Sequence, residues 1–384
     1  MEKLFIIGMG PGNEDLLTAR AKSVLKTSSR VLNTRETSLA KLILELKNTA
    51  GGTVAVIVSG DCGFFSVAKT IIKDFSASYE IELIPGISSI QYLSAKLKVA
   101  YDDAALISLH GRAGRIVPKV AYNKKVFALT GGPNSVQDIC RTLNNYGLGS
   151  VNVSIGERLS FTDEKISCGS AATCMKMEFA GLSVMYIENP AAVSPHLPLT
   201  DNEFIRGSTP MTKEEIRWLS IQKLGIKPAD IVFDIGAGTG SVAVEMARKA
   251  YDGFVYAIEM QADACALVQK NLAKHGAFNI QVVEGEAPAA LTGLPVPDKA
   301  FIGGSSGNLE QIIAQLLILN PIIKIVVNAV SLQTLSQIMQ VFVKRRLINL
   351  DTICVNIAKA QKAGNYDLMM AQNPVYIVTG IGNG

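Results

Sequence analysis

Two short glycine-rich segments are the parts of this chain best suited to bind a ligand through the backbone. Residues 8–12 read GMGPG near the start, and residues 234–241 read DIGAGTGS past the middle. Each segment follows an apolar run typical of a strand and precedes a run typical of a helix. Glycine lets the backbone pass close to a bulky ligand because it has no Cβ atom. The chain is therefore predicted to bind a nucleotide-like cofactor twice.

The second glycine segment departs from the dinucleotide-binding fingerprint. Its spacing is G-x-G-x-G, and Ser241 stands where G-x-G-x-x-G has its last glycine. Glu259, at the end of the next apolar run, is placed to accept hydrogen bonds from ribose hydroxyls. Together these features favour a ligand with a ribose and no pyrophosphate, such as S-adenosylmethionine. The structural alternatives are a plain strand-to-helix turn for the segment and a helix cap for Glu259.

The first part of the chain alternates between short apolar runs and helical patterns. The predicted strands cover residues 4–7, 54–58, 81–84, 106–109, 126–129, 151–155 and 183–187. Strands that alternate with helices are typical of a mainly parallel sheet, and such sheets bind ligands at the carboxyl ends of their strands. We therefore predict one parallel sheet here, with its turns converging on one cleft.

A second α/β unit is predicted after a proline-containing linker at residues 194–209. Thr212, followed three residues later by Glu215, has the pattern of a capping box and predicts the start of a helix. That structural role could by itself explain Thr212. The predicted strands of this unit cover residues 231–233, 255–258, 280–283, 300–302, 325–327, 352–357 and 374–378.

Length and composition are those of an ordinary globular protein with more than one domain. The 384 residues exceed what one hydrophobic core usually serves, with 48% hydrophobic and 18% charged residues. The most apolar stretch, residues 312–330, is interrupted by polar residues and predicts no membrane span. The amino end lacks the pattern of a signal peptide. We expect a soluble cytoplasmic protein.

Charge and cysteine use argue against other classes of partner. The net charge of +4 is too small to indicate nucleic acid, and no basic run accompanies it. The six cysteines form no C-x-x-C pair and there are three histidines, so no metal site is predicted. A small anionic substrate remains compatible with the composition.

Several motifs carry a resemblance to known families. The first region is similar to the tetrapyrrole methylases, through residues 8–12, 59–65, 85–89 and 109–112. The second resembles the class I methyltransferase fold and, more narrowly, the decarboxylating corrin-ring methyltransferases, through residues 210–213, 234–241, 284–288, 301–305, 328–330 and 373–376. Joined in this order, the two regions resemble the fused corrin methyltransferases of cobalamin (vitamin B12) biosynthesis over nearly the whole chain.

The resemblance implies an α/β protein of two domains. A tetrapyrrole-methylase-like domain would cover residues 1–193 and methylate ring carbon 5. After the linker at 194–209, a Rossmann-like class I methyltransferase domain at 210–384 would methylate carbon 15 and decarboxylate the acetate on ring C. Both would use S-adenosylmethionine on a corrin (tetrapyrrole) substrate, and we expect a homo-oligomer. Whether the substrate carries cobalt stays open, because a metal held by the macrocycle leaves no ligand signature in the chain.

The family's cofactor contacts are carried over residue by residue. They fall on Gly10, Pro11, Gly60, Asp61, Phe64, Ser88 and Ser89 in the first domain, and on Thr212, Gly236, Ala237, Gly238, Thr239, Gly240, Glu259 and Ala287 in the second. Cys62 departs from the family's usual proline, which puts the rigidity of that turn in question. No acid-base triad is visible. His110, Arg112 and Arg206 are candidates for orienting the substrate or transferring a proton, although a structural histidine and a solvated basic face would also explain them.

Two other functions fit part of this pattern. One is a two-domain nucleotide-dependent oxidoreductase, which the glycine spacing and the scarcity of histidine disfavour. The other is a non-enzymatic sensor that binds S-adenosylmethionine or an adenosine nucleotide. The small molecules released from the purified protein would distinguish the three.

Overall fold

The computed structural model describes residues 2–49, 51–109, 115–193 and 197–384. Contacts along the chain divide it into two compact units, Met1–Ala192 and Val193–Gly384. Each unit has hydrophobic clusters of its own. Within the described ranges, no helix combines the length and the apolar composition needed to cross a bilayer.

The first unit contains nine strands and seven α-helices among its described residues. The strands are β1 (Glu2–Gly8), β2 (Arg30–Asn33), β3 (Thr53–Val58), β4 (Tyr79–Ile84), β5 (Ala105–Ser108), β6 (Lys125–Leu129), β7 (Asn152–Glu157), β8 (Lys165–Ser170) and β9 (Ser183–Glu188). The helices are α1 (Ala19–Thr27), α2 (Leu39–Lys47), α3 (Ala68–Phe75), α4 (Ser89–Leu97), α5 (Ile116–Tyr122), α6 (Val136–Asn145) and α7 (Ala171–Cys174).

The prediction of one mainly parallel sheet in this unit is wrong. The strands form two sheets, a parallel one in the order β2-β3-β1-β4 and a mixed one in the order β5-β6-β9-β7-β8. In the second sheet, β9 pairs antiparallel with both β6 and β7. An apolar run predicts a strand but carries no information about its hydrogen-bonded neighbour. The short β2 and the half-exposed β8 had no such run and were not predicted.

The second unit continues the numbering of the elements. Its strands are β10 (Ile231–Ile235), β11 (Phe254–Glu259), β12 (Ile280–Glu284), β13 (Lys299–Ile302), β14 (Lys324–Ala329), β15 (Ile348–Val355), β16 (Ala358–Ala363), β17 (Tyr366–Ala371) and β18 (Val375–Ile381). Its helices are α8 (Glu214–Leu224), α9 (Ser241–Lys249), α10 (Ala262–His275), α11 (Leu309–Leu319) and α12 (Leu332–Lys344).

A seven-stranded sheet organises this unit, in the order β12-β11-β10-β13-β14-β18-β15. The strands β10 to β14 pair in parallel, and β18 runs antiparallel to both β14 and β15. The carboxyl ends of the five parallel strands therefore lie along one edge, where α/β sheets bind ligands. Strands β16 and β17 form a separate hairpin between β15 and β18.

The predicted capping box at Thr212 is wrong. Helix α8 begins at Glu214, its N-cap residue is Lys213, and no side chain caps it. Glu215 Oε1 instead lies 2.7 Å from Lys359 Nζ of β16, which also contacts Glu214 Oε1 at 2.7 Å. Glu215, which the local pattern assigned to a capping box, therefore forms an ion pair with the distant Lys359 instead.

A buried charge cluster ties the segment before α8 to the core. Arg217 is fully buried, and its guanidinium donates to Asp201 Oδ1 at 3.1 Å, Leu199 O at 2.6 Å and Glu245 Oε1 at 3.4 Å. The indole N–H of the neighbouring Trp218 also donates to Leu199 O and to Glu245 Oε1. The carboxylates and carbonyl compensate the cost of burying the cation.

Candidate functional site

Three turns of the first unit meet at the carboxyl ends of β1, β3 and β4. Gly10 N–H donates to Gly60 O and Gly60 N–H donates to Gly10 O, both at 3.0 Å, which joins the first two turns. The third turn approaches so closely that a Cβ atom on Gly8 would lie 2.6 Å from Gly86 N. The turns after β1, β3 and β4 therefore lie together, with Gly10 beside Gly60, and a ligand cleft at this point stays a prediction.

The Asp61 carboxylate fastens two of these turns to each other. Its Oδ1 accepts the Gly63 N–H at 2.8 Å, and its Oδ2 accepts the Gly86 N–H at 3.1 Å. Arg35, which the sequence did not single out, adds a further tie by donating to Pro11 O at 3.1 Å and Ser59 Oγ at 3.0 Å. Arg35 follows β2, which had not been predicted.

Ser88 and Phe64 have structural contacts of their own in this region. Ser88 is buried and caps α4 through a capping box with Gln91, whose N–H it accepts at 3.1 Å. Ser89 is the first residue of that helix. Phe64 packs against a cluster that contains Phe127 and Tyr186 of the second sheet. These residues border the turns, and cofactor contact by Ser88, Ser89 and Phe64 stays a prediction.

The remaining predicted turns of this unit take different positions. His110 and Arg112 lie outside the described residues. The turn after β6 is hydrogen-bonded to neighbouring segments of the second sheet. The Thr130 hydroxyl donates to Ser183 O at 2.8 Å, and Asn134 Nδ2 donates to Leu109 O at 2.8 Å. The loop after β1 contacts the turn that follows β7 through a hydrogen bond from Asn13 N–H to Ser160 Oγ at 3.0 Å.

In the second unit, a cavity of about 800 Å³ lies at the carboxyl ends of the parallel strands. It is lined by the loops after β10, β11, β12, β13 and β14 and by the segments before α8 and β18. A cavity of this volume accommodates a cofactor together with part of a larger substrate. Of the predicted residues, the lining includes Thr212, Gly236, Ala237, Gly238, Thr239, Glu259 and Ala287.

The glycine loop after β10 needs its glycines for conformation and for space. Gly236, Gly238 and Gly240 have φ angles of +74°, +57° and +77°, which L side chains rarely adopt. A Cβ atom on Gly236 would lie 2.8 Å from the backbone of Gly304, and one on Gly240 would lie 2.8 Å from Val268 Cγ1. Gly240 is the N-cap of α9 and is not among the residues that line the cavity. The backbone of the loop consequently forms a bare wall of the cavity.

Glu259 ends β11, is 8% exposed and lines the same cavity. Its Oε2 accepts the Gly238 N–H at 2.9 Å and its Oε1 accepts the Gln261 N–H at 3.0 Å. The carboxylate therefore orients the glycine loop, a contact that the sequence did not predict. Each oxygen keeps a second lone pair for a ligand hydroxyl. Ribose binding by Glu259 fits this geometry and stays a prediction.

Replacing Glu259 with Ala should weaken cofactor binding in the second unit by roughly 10- to 150-fold, the loss of one charge-assisted hydrogen bond. Calorimetry with S-adenosylhomocysteine measures this. Glu284→Ala is the matched control, because Glu284 is the register partner of Glu259 on β12 and is not among the lining residues. Binding at the first unit should not change. Equal affinity in both variants would assign Glu259 a structural role alone.

Asp234 lies beneath the glycine loop and is fully buried. Neither of its carboxyl oxygens has a hydrogen-bond partner among the described residues. Burial raises the pKa of Asp234 to about 7, and the nearby negative charge of Glu259 adds to the rise. The sequence placed Asp234 at the start of the loop without indicating this shift.

This pKa predicts a dependence of stability on pH. Unfolded Asp234 ionises above about pH 4, whereas the folded carboxyl stays protonated up to about pH 7. The folded state then binds more protons, so the free energy of unfolding should fall by roughly 3 to 5 kcal/mol between these values. In Asp234→Asn, the free energy of unfolding should lack this decrease between about pH 4 and pH 7. Chemical denaturation of the second unit at several pH values measures it. The same pH slope in both proteins would contradict the shift.

The segment at residues 209–213 covers the glycine loop. A Cβ atom on Gly238 would lie 3.2 Å from Pro210 O, and Arg217 Nη1 donates to Thr212 O at 2.8 Å. The buried charge cluster thus positions the Thr212 backbone, and the Thr212 side chain is free of the capping role. Charge pairs between residues this distant in sequence leave no local signal. Arg206 contacts Asp201 Oδ2 at 3.5 Å and is not among the residues that line the cavity.

The turn after β12 lines the cavity next to Glu259. Ala287 is buried and lines the cavity, as its assignment as a cofactor contact requires. Asn308, in front of α11, donates through Nδ2 to Glu286 Oε1 at 2.8 Å, which fixes this turn. Gly285 N–H donates to Glu259 O at 2.9 Å. The walls after β10, β11 and β12 are therefore linked by hydrogen bonds.

Family models place both α/β units among the methyltransferases. Residues 37–173 match the Tetrapyrrole (Corrin/Porphyrin) Methylases. Residues 203–380 match the Precorrin methyltransferase domain. These two matches confirm the predicted class of each unit.

Individual relatives specify the family to which the chain belongs. Precorrin-6Y C(5,15)-methyltransferase [decarboxylating] of Sinorhizobium sp is 32% identical over 298 residues, 76% of this chain and 72% of that protein. The chain belongs to the precorrin-6Y C(5,15)-methyltransferase (decarboxylating) family. A probable cobalt-precorrin-6B C(15)-methyltransferase (decarboxylating) of Saccharolobus solfataricus is 41% identical over 49% of this chain and 96% of its own. A crystal structure of precorrin-6Y C5,15-methyltransferase from Geobacter metallireducens GS-15 covers 48% of this chain and 97% of its own, with 35% identity and a TM-score of 0.46.

Proposed function

We propose that this chain methylates precorrin-6Y, or its cobalt-containing counterpart, at ring carbons 5 and 15 and removes the carboxyl group of the ring C acetate, in cobalamin biosynthesis. The observation that carries the proposal is the 800 Å³ cavity at the strand ends of the second unit, with its glycine loop and Glu259. Family membership supports it. The comparisons give no support to the alternatives of an oxidoreductase or a sensor.

The division of labour between the units is part of the proposal. The first domain, residues 1–193, methylates carbon 5, and the domain at 210–384 decarboxylates and methylates carbon 15. The two matches to different methyltransferase families support this division. Homo-oligomerisation and a cytoplasmic location stay predictions.

The residues of both units fit S-adenosylmethionine, which supplies an electrophilic methyl group when bound. In the second unit, Gly236 to Gly240 leave the backbone wall bare, Glu259 offers carboxylate lone pairs, and Thr212 and Ala287 border the space. In the first unit, Pro11, Gly60 and Asp61 are brought together at the strand ends. Two binding sites per chain are proposed on this basis.

The reaction requires alignment more than acid-base chemistry. An electron-rich ring carbon attacks the methyl group, so the protein has to hold the two reactants in line and exclude water. The glycine loop, the 209–213 segment and the turn at Ala287 line the cavity in which the two reactants would be held. Arg206, the one candidate for proton transfer among the described residues, is not among the residues that line the cavity.

The test is turnover of precorrin-6Y with methyl-labelled S-adenosylmethionine, with and without cobalt in the substrate. The proposal requires a product that has gained two methyl groups and lost one carbon dioxide. Calorimetry with S-adenosylhomocysteine should give close to two sites per chain. A change in nicotinamide absorbance, or ligand binding without any change in product mass, would favour an alternative function.

A further inference from the structure

The hairpin of β16 and β17 borders the cavity of the second unit without belonging to its main sheet. The two strands form a two-stranded sheet of their own, whereas β15 and β18, which flank them in the chain, are part of the seven-stranded sheet. The base of the hairpin is closed by the Gln372 N–H, which donates to Ile357 O at 2.8 Å. Ile357, Gln361 and Gln372 line the cavity. The hairpin therefore projects from the sheet and supplies part of the cavity wall.

The register of the hairpin assigns its side chains to two faces. Successive residues of a strand point to opposite faces, and directly paired residues share a face. One face, which we call the inner face, carries the pairs Lys359 with Met370, Gln361 with Leu368, and Ala363 with Tyr366. The outer face carries the pairs Ala358 with Ala371, Ala360 with Met369, and Lys362 with Asp367. Since Gln361 lines the cavity, the inner face is turned toward the cavity.

An ion-pair cluster fixes this orientation. Lys359 Nζ on the inner face lies 2.7 Å from both Glu214 Oε1 and Glu215 Oε1, at the start of α8. Glu214 Oε2 in turn accepts the Asp201 N–H at 2.7 Å. Hydrogen bonds with the two glutamates raise the pKa of Lys359, and the bond from Lys359 lowers the pKa of Glu214. The pair therefore stays ionised at neutral pH and anchors the hairpin next to the 209–213 segment, which covers the glycine loop.

Large apolar side chains are exposed along the inner face. Tyr366, Leu368 and Met370 follow one another there on β17 and are 75%, 50% and 49% exposed. On the outer face, Met369 lies among alanines and a lysine–aspartate pair. A contiguous row of exposed apolar side chains marks a surface that binds another molecule. Methionine adapts its shape to a ligand and tyrosine offers a ring for stacking, so this row suits a broad, conjugated ligand.

The size of the cavity indicates which molecule covers this row. Its volume of about 800 Å³ accommodates a cofactor with part of a larger substrate. The proposed substrate is a macrocycle of four rings, so part of it extends beyond the cavity. The inner face continues the cavity wall outward, because Gln361 lines the cavity and is paired with Leu368. Contact between this face and the ring would remove apolar surface of both from water.

We propose that the inner face of the hairpin binds the part of the macrocycle that extends beyond the cavity, with Leu368 and Met370 packed against the ring. Lys359 is the positioning residue that holds the hairpin in place for this contact. The inference rests on the proposed function, since the ligand is the substrate of that reaction. It assigns substrate recognition in the second unit to an element separate from the glycine loop.

The test compares neighbouring residues on the two faces. Leu368→Gln and Met370→Gln should each raise the substrate KM of carbon 15 methylation by roughly 3- to 10-fold, because each removes an apolar contact with the ring. Met369→Gln is the matched control, since it makes the same change one residue away on the outer face, and it should leave this KM unchanged. Affinity for S-adenosylhomocysteine should be the same in all three variants. Labelled S-adenosylmethionine with carbon NMR of the product follows the methyl group at carbon 15.

A second set of variants tests the positioning role of Lys359. Lys359→Met should raise the same KM, because the hairpin loses its ion pairs with α8, while affinity for S-adenosylhomocysteine stays unchanged. Lys359→Arg should restore the KM, because a guanidinium can donate to both carboxylates. Lys362→Met is the control, since it removes the same charge from the outer face of the same strand. A lower melting temperature of Lys359→Met without a change in KM would leave Lys359 a structural role alone.

The outcomes separate this inference from the proposed function. An unchanged KM in Leu368→Gln and Met370→Gln, or an equal rise in Met369→Gln, would overturn the inference. If the inner-face variants changed the oligomeric state and not the KM, the row would be covered by a second copy of the chain, which also overturns it. If the unmodified protein transfers no methyl group to carbon 15, the proposed function itself fails.

Discussion

Gly238→Val is expected to yield a protein that methylates the substrate at carbon 5 and not at carbon 15. Gly238 has a φ angle of +57°, which a β-branched residue avoids, and its Cβ atom would lie 3.2 Å from Pro210 O. The new side chain would also occupy the wall of the cavity where the cofactor has to pass. Affinity for S-adenosylhomocysteine in the second unit should fall by roughly 100-fold or more, about 3 kcal/mol.

Product mass and carbon NMR with a labelled methyl donor identify which methyl group is missing. Gly181→Val is the control, because no atom lies within 4 Å of a Cβ atom built at that exposed position of the first unit. The same product shows whether decarboxylation proceeds without methylation at carbon 15. Loss of both methyl groups, in a variant shown to be folded, would contradict the proposed division between the domains.

Asp61→Ala should have the opposite effect and remove methylation at carbon 5. The Asp61 carboxylate accepts the N–H groups of Gly63 and Gly86, which hold two turns of the first unit together. Loss of both bonds leaves two backbone donors without their partner and loosens the site, so affinity there should fall by about 10- to 100-fold. The product should be decarboxylated and carry the methyl group at carbon 15 alone.

The conservative variant Asp61→Asn distinguishes charge from geometry, because its one carbonyl oxygen can serve only one of the two N–H groups well. Asp74→Ala, at an exposed position of α3, controls for the loss of a carboxylate elsewhere in the same unit. Product with both methyl groups from Asp61→Ala would remove this turn from the proposed carbon 5 site.

The sequence predicted the elements whose signal is local. Apolar runs followed by glycine turns located the strands that feed both loops, because burial and tight turns each restrict residue type. The strand that ends at Glu259 was predicted in this way, whereas the class of each unit was expected from the resemblance that the motifs carry. The hairpin of β16 and β17 was not predicted, since its residues are mostly exposed on both faces and show no alternation.

Features that depend on distant partners could not be predicted. Glu215 matched a capping box but pairs with Lys359, which is far away in sequence. Arg217 lies on a helix where a charged residue is ordinarily exposed, and its burial depends on Asp201 and Glu245. The pairing of β9 between β6 and β7 is likewise invisible in a pattern of single runs. In each case the outcome depends on tertiary contacts with residues that are distant in sequence, and a local pattern does not contain that information.

The buried charge cluster also provides an optical probe. The chain has a single tryptophan, Trp218, and its indole N–H donates to Leu199 O and Glu245 Oε1 beside Arg217. Indole emission responds to the polarity around the ring, so a spectrum of the whole chain selectively excited at the indole band reports on the second unit. Opening of that unit can therefore be followed in the intact protein, without a label, while the tyrosines report on both.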